Sequence, residues 1–316
     1  LSNRPTSVLR RCSRCFEAPG GTQLKRCTGC AFALYCSKEC QKAAWPKHKI
    51  PCVYHVRHAA SPAIEDAARR FGYRNIIEIR QALEDFVDAN TWAFIAFSKA
   101  LVIIEHGLAE IHRHPPRHLE VSLMPAGNPR TRSPAHTFMM YSTRWFMLDE
   151  LMADAEGWEA SEPERERIIR RYLRNSDQPF TGLRVIRYQI HGIDISMTSF
   201  YPRFEPTMPL HAVLPSSTEL VIGQILADVV TLTEGSINTD MAFGPRHDET
   251  SKIALPGRLV RLNNECVWEA SFASWVEVET EDGELVVPVR ELDLLQAYTS
   301  RLNSELGMCN VLGYIQ

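Results

Sequence analysis

Cysteine is nearly absent from most of this 316-residue sequence. Only Cys266 and Cys309 lie outside residues 12–52, so a disulfide framework cannot extend along the chain. Long apolar runs are also missing, because the longest, residues 92–104, is shorter than a membrane-spanning helix and contains Lys99. We therefore expect no association with a membrane.

Sequence signals for secretion and for repeat architectures are missing too. Residues 1–11 contain no apolar segment of the kind found in a signal peptide. No internal repeat, low-complexity tract or heptad run occurs in the chain. With 45% hydrophobic and 23% charged residues, the composition is that of an ordinary globular protein.

Seven of the nine cysteines form, with one histidine, four closely spaced pairs within residues 12–52. The pairs are Cys12/Cys15, Cys27/Cys30, Cys36/Cys40 and His48/Cys52. Thiolate and imidazole donors at these spacings hold zinc, and eight donors complete two tetrahedral sites. Because no coordination position stays open, we expect two structural Zn²⁺ and no catalytic metal. Spacing alone leaves open whether the pairs combine in order or interleave.

A disulfide-bonded domain is the alternative for this segment. Seven cysteines would leave one thiol over, and the spaced histidine would have no role. Reduced, metal-binding cysteines are typical of intracellular proteins, so we expect the nucleus or the cytoplasm.

Local patterns predict where two of these pairs lie. Residues 36–45 are predicted to be a helix with Ser37 as its N-cap. His48 and Cys52 are spaced for one face of a second helix, which Pro51 is expected to make short or irregular.

The order and spacing of the pairs resemble the MYND-type zinc finger, and the resemblance covers residues 12–52 only. Residues 35–37, Cys40 with Gln41, Trp45 and His48 match its secondary signature as well. The resemblance implies an interleaved pairing. The first zinc would be held by Cys12, Cys15, Cys36 and Cys40, and the second by Cys27, Cys30, His48 and Cys52.

Such fingers are protein–protein interaction modules, and the resemblance implies that a proline-rich segment docks beside the second half of the finger. The matching positions for a peptide site are Tyr35, Ser37, Gln41 and Trp45. Extended proline-rich segments lose little entropy on binding and pack well on aromatic side chains. Trp45 has the alternative role of packing in the finger's own small core.

MYND fingers also occur in SET-domain lysine methyltransferases, which gives an enzymatic alternative. Such an enzyme needs a Gly-x-Gly stretch before the finger and an Asn-His segment after it. No glycine precedes Cys12, and no Asn-His pair occurs in the sequence. We identify no catalytic residue and do not expect an enzyme.

Charge suggests a further alternative, nucleic-acid contact through the finger. Residues 1–58 carry eleven Lys/Arg and two Asp/Glu, whereas the remainder carries 24 and 36. The basic residues are scattered, and nearby cations commonly compensate the charge of zinc–thiolate clusters. Nucleic-acid binding is therefore the weaker interpretation.

The remaining chain predicts an α+β, or possible α/β, body at residues 59–316 after the 1–11 tail and the 12–52 finger. It is expected to be helical to about residue 108. Predicted helices are 64–71, 75–89, 91–106, 163–174 and 291–306. Predicted strands are 118–124, 138–148, 183–190, 192–198, 257–263, 267–278 and 285–289, while 218–231 fits helix or strand.

Overall fold

The computed structural model describes residues 12–15, 24–59, 62–107, 109–110, 113, 116–127, 133–152, 155–175, 179–204, 216–245, 254–262 and 265–271. The chain divides into two compact units. The first contains Leu1–Asp88, Pro115–Glu205 and Arg261–Val267, and the second contains Ala89–His114, Pro206–Val260 and Trp268–Gln316. The finger segment therefore belongs to the same unit as the following helices. The domain boundaries given above stay a prediction.

The first unit is built on a four-stranded mixed sheet. Its strands are β3 (His118–Pro125), β4 (Phe138–Phe146), β5 (Phe180–Ile190) and β6 (Ser196–Phe204). They lie in the order β4-β3-β5-β6, with β3 and β5 parallel and the other two pairs antiparallel. A mixed sheet with helices confirms the predicted fold class of a finger followed by an α+β body.

Alternating residues of β3 place their apolar side chains on one buried face of this sheet. Leu119, Val121 and Leu123 are fully buried, and so are Ile186 and Tyr188 of the neighbouring strand β5. A hairpin turn follows β5, with Gly192 at a positive φ of 77°. Because the turn extends to residue 195, β6 begins later than predicted.

The opposite face of the sheet packs against helix α7 (Glu162–Asn175), which the short helices α5 (Leu148–Met152) and α6 (Ala155–Ala160) precede. Ile168 of α7 lies in a buried cluster with Phe146, Val185 and Phe200. Leu173 of the same helix is instead 65% exposed. The reason is that it lies about 140° around the helix from Ile168.

Two further helices of this unit follow the finger. They are α2 (Pro62–Arg70) and α3 (Ile76–Ala89). Along α3, Ile79, Leu83 and Phe86 recur at helical spacing and are fully buried. The Asn75 side chain accepts a hydrogen bond from the backbone N–H of Glu78 and caps the helix.

The second unit contains two long helices and most of a small sheet. Helix α4 (Thr91–His106) packs against α8 (Ser216–Asn238), so the ambiguous stretch 218–231 is helical. The sheet contains β7 (Ala242–Pro245), β8 (Ala254–Leu262) and β9 (Glu265–Ala270). The predicted elements 285–289 and 291–306, and the end of 267–278, lie outside the described residues.

Among the described residues, no single helix is long and apolar enough to cross a membrane. Within the same described residues, α3 and α4 counted together reach that length and composition.

His118 provides a pH-dependent contribution to stability. Its side chain is 2% exposed, and its Nδ1 accepts a hydrogen bond from the N–H of Val185 at 3.1 Å. Burial, with the nearby cations Arg184 and Arg203, lowers the pKa of His118 from 6.5 to about 4. The folded protein therefore holds a neutral imidazole that becomes protonated more readily in the unfolded chain.

The contribution of His118 is present above pH 6.5 and is lost as the pH falls toward 4. Between about pH 7.5 and pH 5 we expect His118→Asn to remove about 2 kcal/mol of the pH dependence of unfolding. Urea unfolding of both proteins at each pH measures this difference, and effects of acid on the finger cancel between them. Parallel pH profiles would contradict the prediction.

Candidate metal centres

The finger is built on a short hairpin and a turn. Strands β1 (Lys25–Arg26) and β2 (Leu34–Tyr35) pair antiparallel, and residues 28–30 form the turn between them. The turn is closed by backbone hydrogen bonds from Ala31 to Cys27 and from Cys27 to Ala33. A Cβ at Gly29 would lie 3.0 Å from Cys52 Sγ, so glycine leaves room for that thiol.

Helix α1 (Lys38–Ala59) carries three of the donors, Cys40, His48 and Cys52. The predicted cap is confirmed, because Ser37 Oγ accepts a hydrogen bond from the N–H of Cys40 at 3.1 Å. The prediction of a separate, irregular helix at His48 was wrong, since α1 continues through both Pro46 and Pro51.

Packing explains why α1 tolerates two internal prolines. Cys40, Ala44, His48 and Cys52 recur every fourth residue and form one line along the helix. Ala44 and Cys52 are buried in the finger core, and Cys40 packs against it. These tertiary contacts outweigh the backbone hydrogen bonds that the prolines cannot make.

The eight donors lie in two groups of four. The first group is Cys12, Cys15, Cys36 and Cys40, and the second is Cys27, Cys30, His48 and Cys52. Within each group all donor atoms lie within 4.8 Å of one another. Donors of a tetrahedral zinc site with Zn–S bonds of 2.3 Å are about 3.8 Å apart, so both groups have the size that zinc requires.

Individual distances support this fit. In the first group, Cys36 Sγ is 3.4 Å from Cys40 Sγ and 3.7 Å from Cys15 Sγ. In the second group, His48 Nε2 is 3.4 Å from Cys27 Sγ and 3.6 Å from Cys30 Sγ. The two pairs in each group come from different parts of the finger, so each group joins the helix to the preceding chain.

Exposure differs between the two groups. In the second group all three thiols are buried and His48 is half-buried. In the first group only Cys12 is buried, and Cys15 is exposed. Solvent therefore reaches the first group more easily than the second.

In the first group, hydrogen bonds determine the direction in which the pKa of each thiol is shifted. Burial acts to raise the pKa of Cys12, but backbone N–H groups of Cys15, Cys36 and Arg14 lower it to about 6. A hydrogen bond with Cys40 is the main reason that the pKa of Cys36 rises to about 12.

In the second group, burial and the charges of its neighbours Cys30 and Cys27 raise the pKa of Cys52 to about 12. Burial also lowers the pKa of His48, which favours the neutral imidazole that binds metal. Several thiolates so close together repel one another, and a dication between them would remove that repulsion.

The finger core reaches helix α3. Arg26 donates hydrogen bonds to the carbonyl of Ala31 and to Gln81 Oε1, at 2.9 Å and 3.0 Å. The guanidinium of Arg80 lies 5.2 Å from the ring centre of Phe32. Sequence analysis missed these contacts, although the polar residue Gln81 on the buried side of α3 was a possible signal.

The four predicted peptide-binding residues have different environments. The Tyr35 side chain is 1% exposed and lies edge-on to the His48 ring, so it belongs to the finger core and not to a docking surface. Ser37 caps α1, and Gln41 is half-buried one turn later. Trp45 is 46% exposed and contacts the His48 ring edge-on, with the ring centres 6.1 Å apart.

Comparison with known families identifies this segment. Residues 9–52 match the model of the MYND finger family. This segment is a MYND finger. The donors of its two groups are those of the interleaved arrangement, and each group can hold one zinc ion. MYND fingers are generally protein-interaction modules.

Relatives match the chain at the finger. The chain is 48% identical over 52 residues to the SET domain and MYND-type zinc finger protein 6 of Schizosaccharomyces pombe, covering 16% of this chain and 10% of that protein. It is 51% identical over 41 residues to the human histone-lysine N-methyltransferase SMYD3, covering 13% and 9%.

A third relative, the dauer abnormal formation protein 25 of Caenorhabditis elegans, is 46% identical over 68 residues, covering 21% of this chain and 16% of that protein. The chain thus spans less than a fifth of the length of each of these relatives. No solved structure matches it significantly.

Proposed function

We propose that this MYND finger holds one structural zinc ion in each donor group and captures proline-rich segments of partner proteins. The supporting observation is the exposure of Trp45 on a helix that also carries donors of both groups. Zinc bound there would fix the helix, and a rigid aromatic side chain loses little entropy on binding.

Gln41 extends this surface. It precedes Trp45 by four residues, so the two side chains leave α1 on the same side. An amide can donate to and accept from the backbone of an extended peptide, while the indole packs on proline rings. The contact of Trp45 with His48 would orient the indole at the edge of the second zinc site.

Two alternatives have less support. Methyltransferase activity is suggested by the names of relatives of which the match covers about a tenth of the length. Nucleic-acid binding rests on the scattered basic residues of the finger, of which Arg26 is engaged with Gln81 and Ala31 within the protein.

The proposal includes a location. Zinc-binding thiols persist where the environment is reducing, so we place the protein in the nucleus or the cytoplasm. Fractionation of the tagged protein in its own cells tests this placement.

Replacing both Gln41 and Trp45 with alanine is expected to weaken capture of a Pro-x-Leu-x-Pro peptide by about thirtyfold or more. Loss of an anchor of this kind typically costs about 2 kcal/mol. Fluorescence anisotropy with labelled peptides measures the affinity, and elemental analysis checks that zinc content stays the same. Leu173→Ala is a control that removes an exposed apolar side chain from α7. Equal affinity in the double variant and the wild type would contradict the proposal.

A further inference from the structure

The two donor groups of the finger differ in how far a dissolved reagent can reach their sulfur atoms. In the first group the side chain of Cys15 is exposed, and those of Cys36 and Cys40 are half-buried. In the second group every thiol is at most 5% exposed. A dissolved oxidant therefore reaches the sulfur of Cys15 before it reaches any thiol of the second group.

Packing encloses the second group. Its three thiols lie in the finger core, in which Phe32 and Tyr35 are also buried. Ile77 of α3 packs against the same core from outside the finger. Access to these thiols requires the core to open, whereas access to Cys15 requires no change of structure.

A second thiol of the first group lies close to Cys15. Cys36 Sγ is 3.7 Å from Cys15 Sγ, so a modest approach of the two sulfur atoms brings them into bonding distance. Cys36 is half-buried and precedes α1, whereas Cys12 of the same group is fully buried. Cys36 is therefore the thiol best placed to react with an oxidised Cys15.

We infer that Cys15 and Cys36 form an oxidant-sensitive pair, which closes to a disulfide bond and releases the zinc ion of the first donor group. The inference rests on the zinc-binding part of the proposed function. Metal binding keeps both sulfur atoms as thiolates, which is the form that reacts with peroxides. After the bond forms, Cys12 and Cys40 remain as two donors in a site that needs four.

Hydrogen peroxide is the oxidant in this reaction. The Cys15 thiolate attacks one peroxide oxygen, so that the O–O bond breaks, hydroxide departs and Cys15 becomes a sulfenic acid. The Cys36 thiolate then attacks the Cys15 sulfur, so that the S–O bond breaks and a second hydroxide departs as the S–S bond forms. Each hydroxide takes a proton from solvent. Two thiolates, one peroxide and two protons thus give one disulfide and two waters.

The reaction is reversible and confined to one group. A thiol reductant cleaves the disulfide bond and restores both thiolates, after which four donors are again available. The second group keeps its zinc ion, because its thiols are buried and belong to neither step. The zinc content of the first group would therefore follow the redox state of the surroundings.

The experiment treats the zinc-loaded full chain with equimolar hydrogen peroxide. A chromogenic chelator follows zinc release over time, native mass spectrometry counts the zinc ions that remain, and peptide mapping without reduction locates the disulfide bond. A second sample receives dithiothreitol and zinc after the oxidation. The control protein is Cys266→Ser, because Cys266 belongs to neither donor group.

Cys15→His tests the role of the exposed thiol directly. Imidazole binds zinc but cannot form a disulfide bond, and the exposed position leaves room for the ring. We expect this variant to hold two zinc ions and to release zinc about tenfold or more slowly than the wild type under peroxide, since oxidation selects exposed thiolates. If the variant does not load two zinc ions, the disulfide map of the wild type decides.

In the wild type and in Cys266→Ser we expect release of one zinc ion, a bond between Cys15 and Cys36, and recovery of two zinc ions on reduction. Release of both zinc ions at the same rate would overturn the inference, and so would a disulfide bond that lacks Cys15 or Cys36. Fewer than two zinc ions before oxidation would overturn the proposed function as well, so the two failures can be distinguished.

Discussion

Replacing Cys36 with serine is expected to halve the zinc content of the protein and to unfold the part of the finger around the first donor group. Cys36 Sγ lies 3.4 Å from Cys40 Sγ and 3.7 Å from Cys15 Sγ, at the centre of the first donor group. A serine hydroxyl does not ionise near neutral pH, so three donors would remain in a site that needs four. Little apolar surface is available to compensate for the loss.

The consequence should reach beyond one metal site. Cys36 lies directly before the capped first turn of α1, and Cys40 lies in that turn. When the first donor group cannot bind zinc, the start of α1 is no longer held to Cys12 and Cys15. His48 and Cys52, further along α1, still belong to the second group. Metal binding supplies most of the folding free energy of a small zinc domain.

Elemental analysis and hydrogen exchange of residues 12–52 measure the two effects of Cys36→Ser. Cys266→Ser is the matched control, because Cys266 belongs to neither donor group. We expect the control to keep two zinc ions and a protected finger. If Cys36→Ser kept both zinc ions, Cys36 would not be a ligand.

Replacing Gly257 with alanine is expected to disrupt the small sheet of the second unit. A Cβ at this position would lie 2.6 Å from a ring carbon of Trp268 and against the backbone carbonyl of Glu269. The Trp268 ring cannot move freely, since its Nε1 donates a hydrogen bond to the carbonyl of Ala242 at 2.8 Å. Overpacking against backbone typically costs about 1–3 kcal/mol, and more where the neighbours cannot shift.

Gly223→Ala also replaces glycine with alanine, but we expect it to stabilise the protein. Gly223 lies within α8, where an added Cβ would meet nothing within 4 Å. Alanine there should stabilise the protein by about 0.5–1 kcal/mol, because glycine is a poor helix former. Thermal unfolding of both variants should show a lower midpoint for Gly257→Ala and a higher one for Gly223→Ala. Similar midpoints would contradict the packing described around Trp268.

The metal centres could be predicted from the sequence only in part. The four Cys/His pairs identify the metal donors, because cysteine and histidine pairs at these spacings rarely have a role other than metal binding. Their spacing does not determine how the pairs combine, and the interleaved arrangement came from the resemblance. The continuity of α1 could not be predicted, since local rules place a break at Pro51 and only the packing of Ala44 and Cys52 overrides them.

In the body, local patterns predicted elements better than their arrangement. Alternation along residues 118–124 and helical periodicity along 75–89 both reflect one buried face, so both elements were found. The parallel pairing of β3 with β5 depends on contacts far apart in sequence, and no local pattern contains it. The hydrogen bond from Arg26 to Gln81 also joins residues far apart in sequence, so no local pattern predicts it.

The central claim is that the finger holds two structural zinc ions, and the zinc content of the purified full chain tests it most directly. Inductively coupled plasma mass spectrometry, with the protein quantified by amino-acid analysis, should give two zinc ions per chain after removal of loosely bound metal. One zinc ion per chain, or none, would contradict the account.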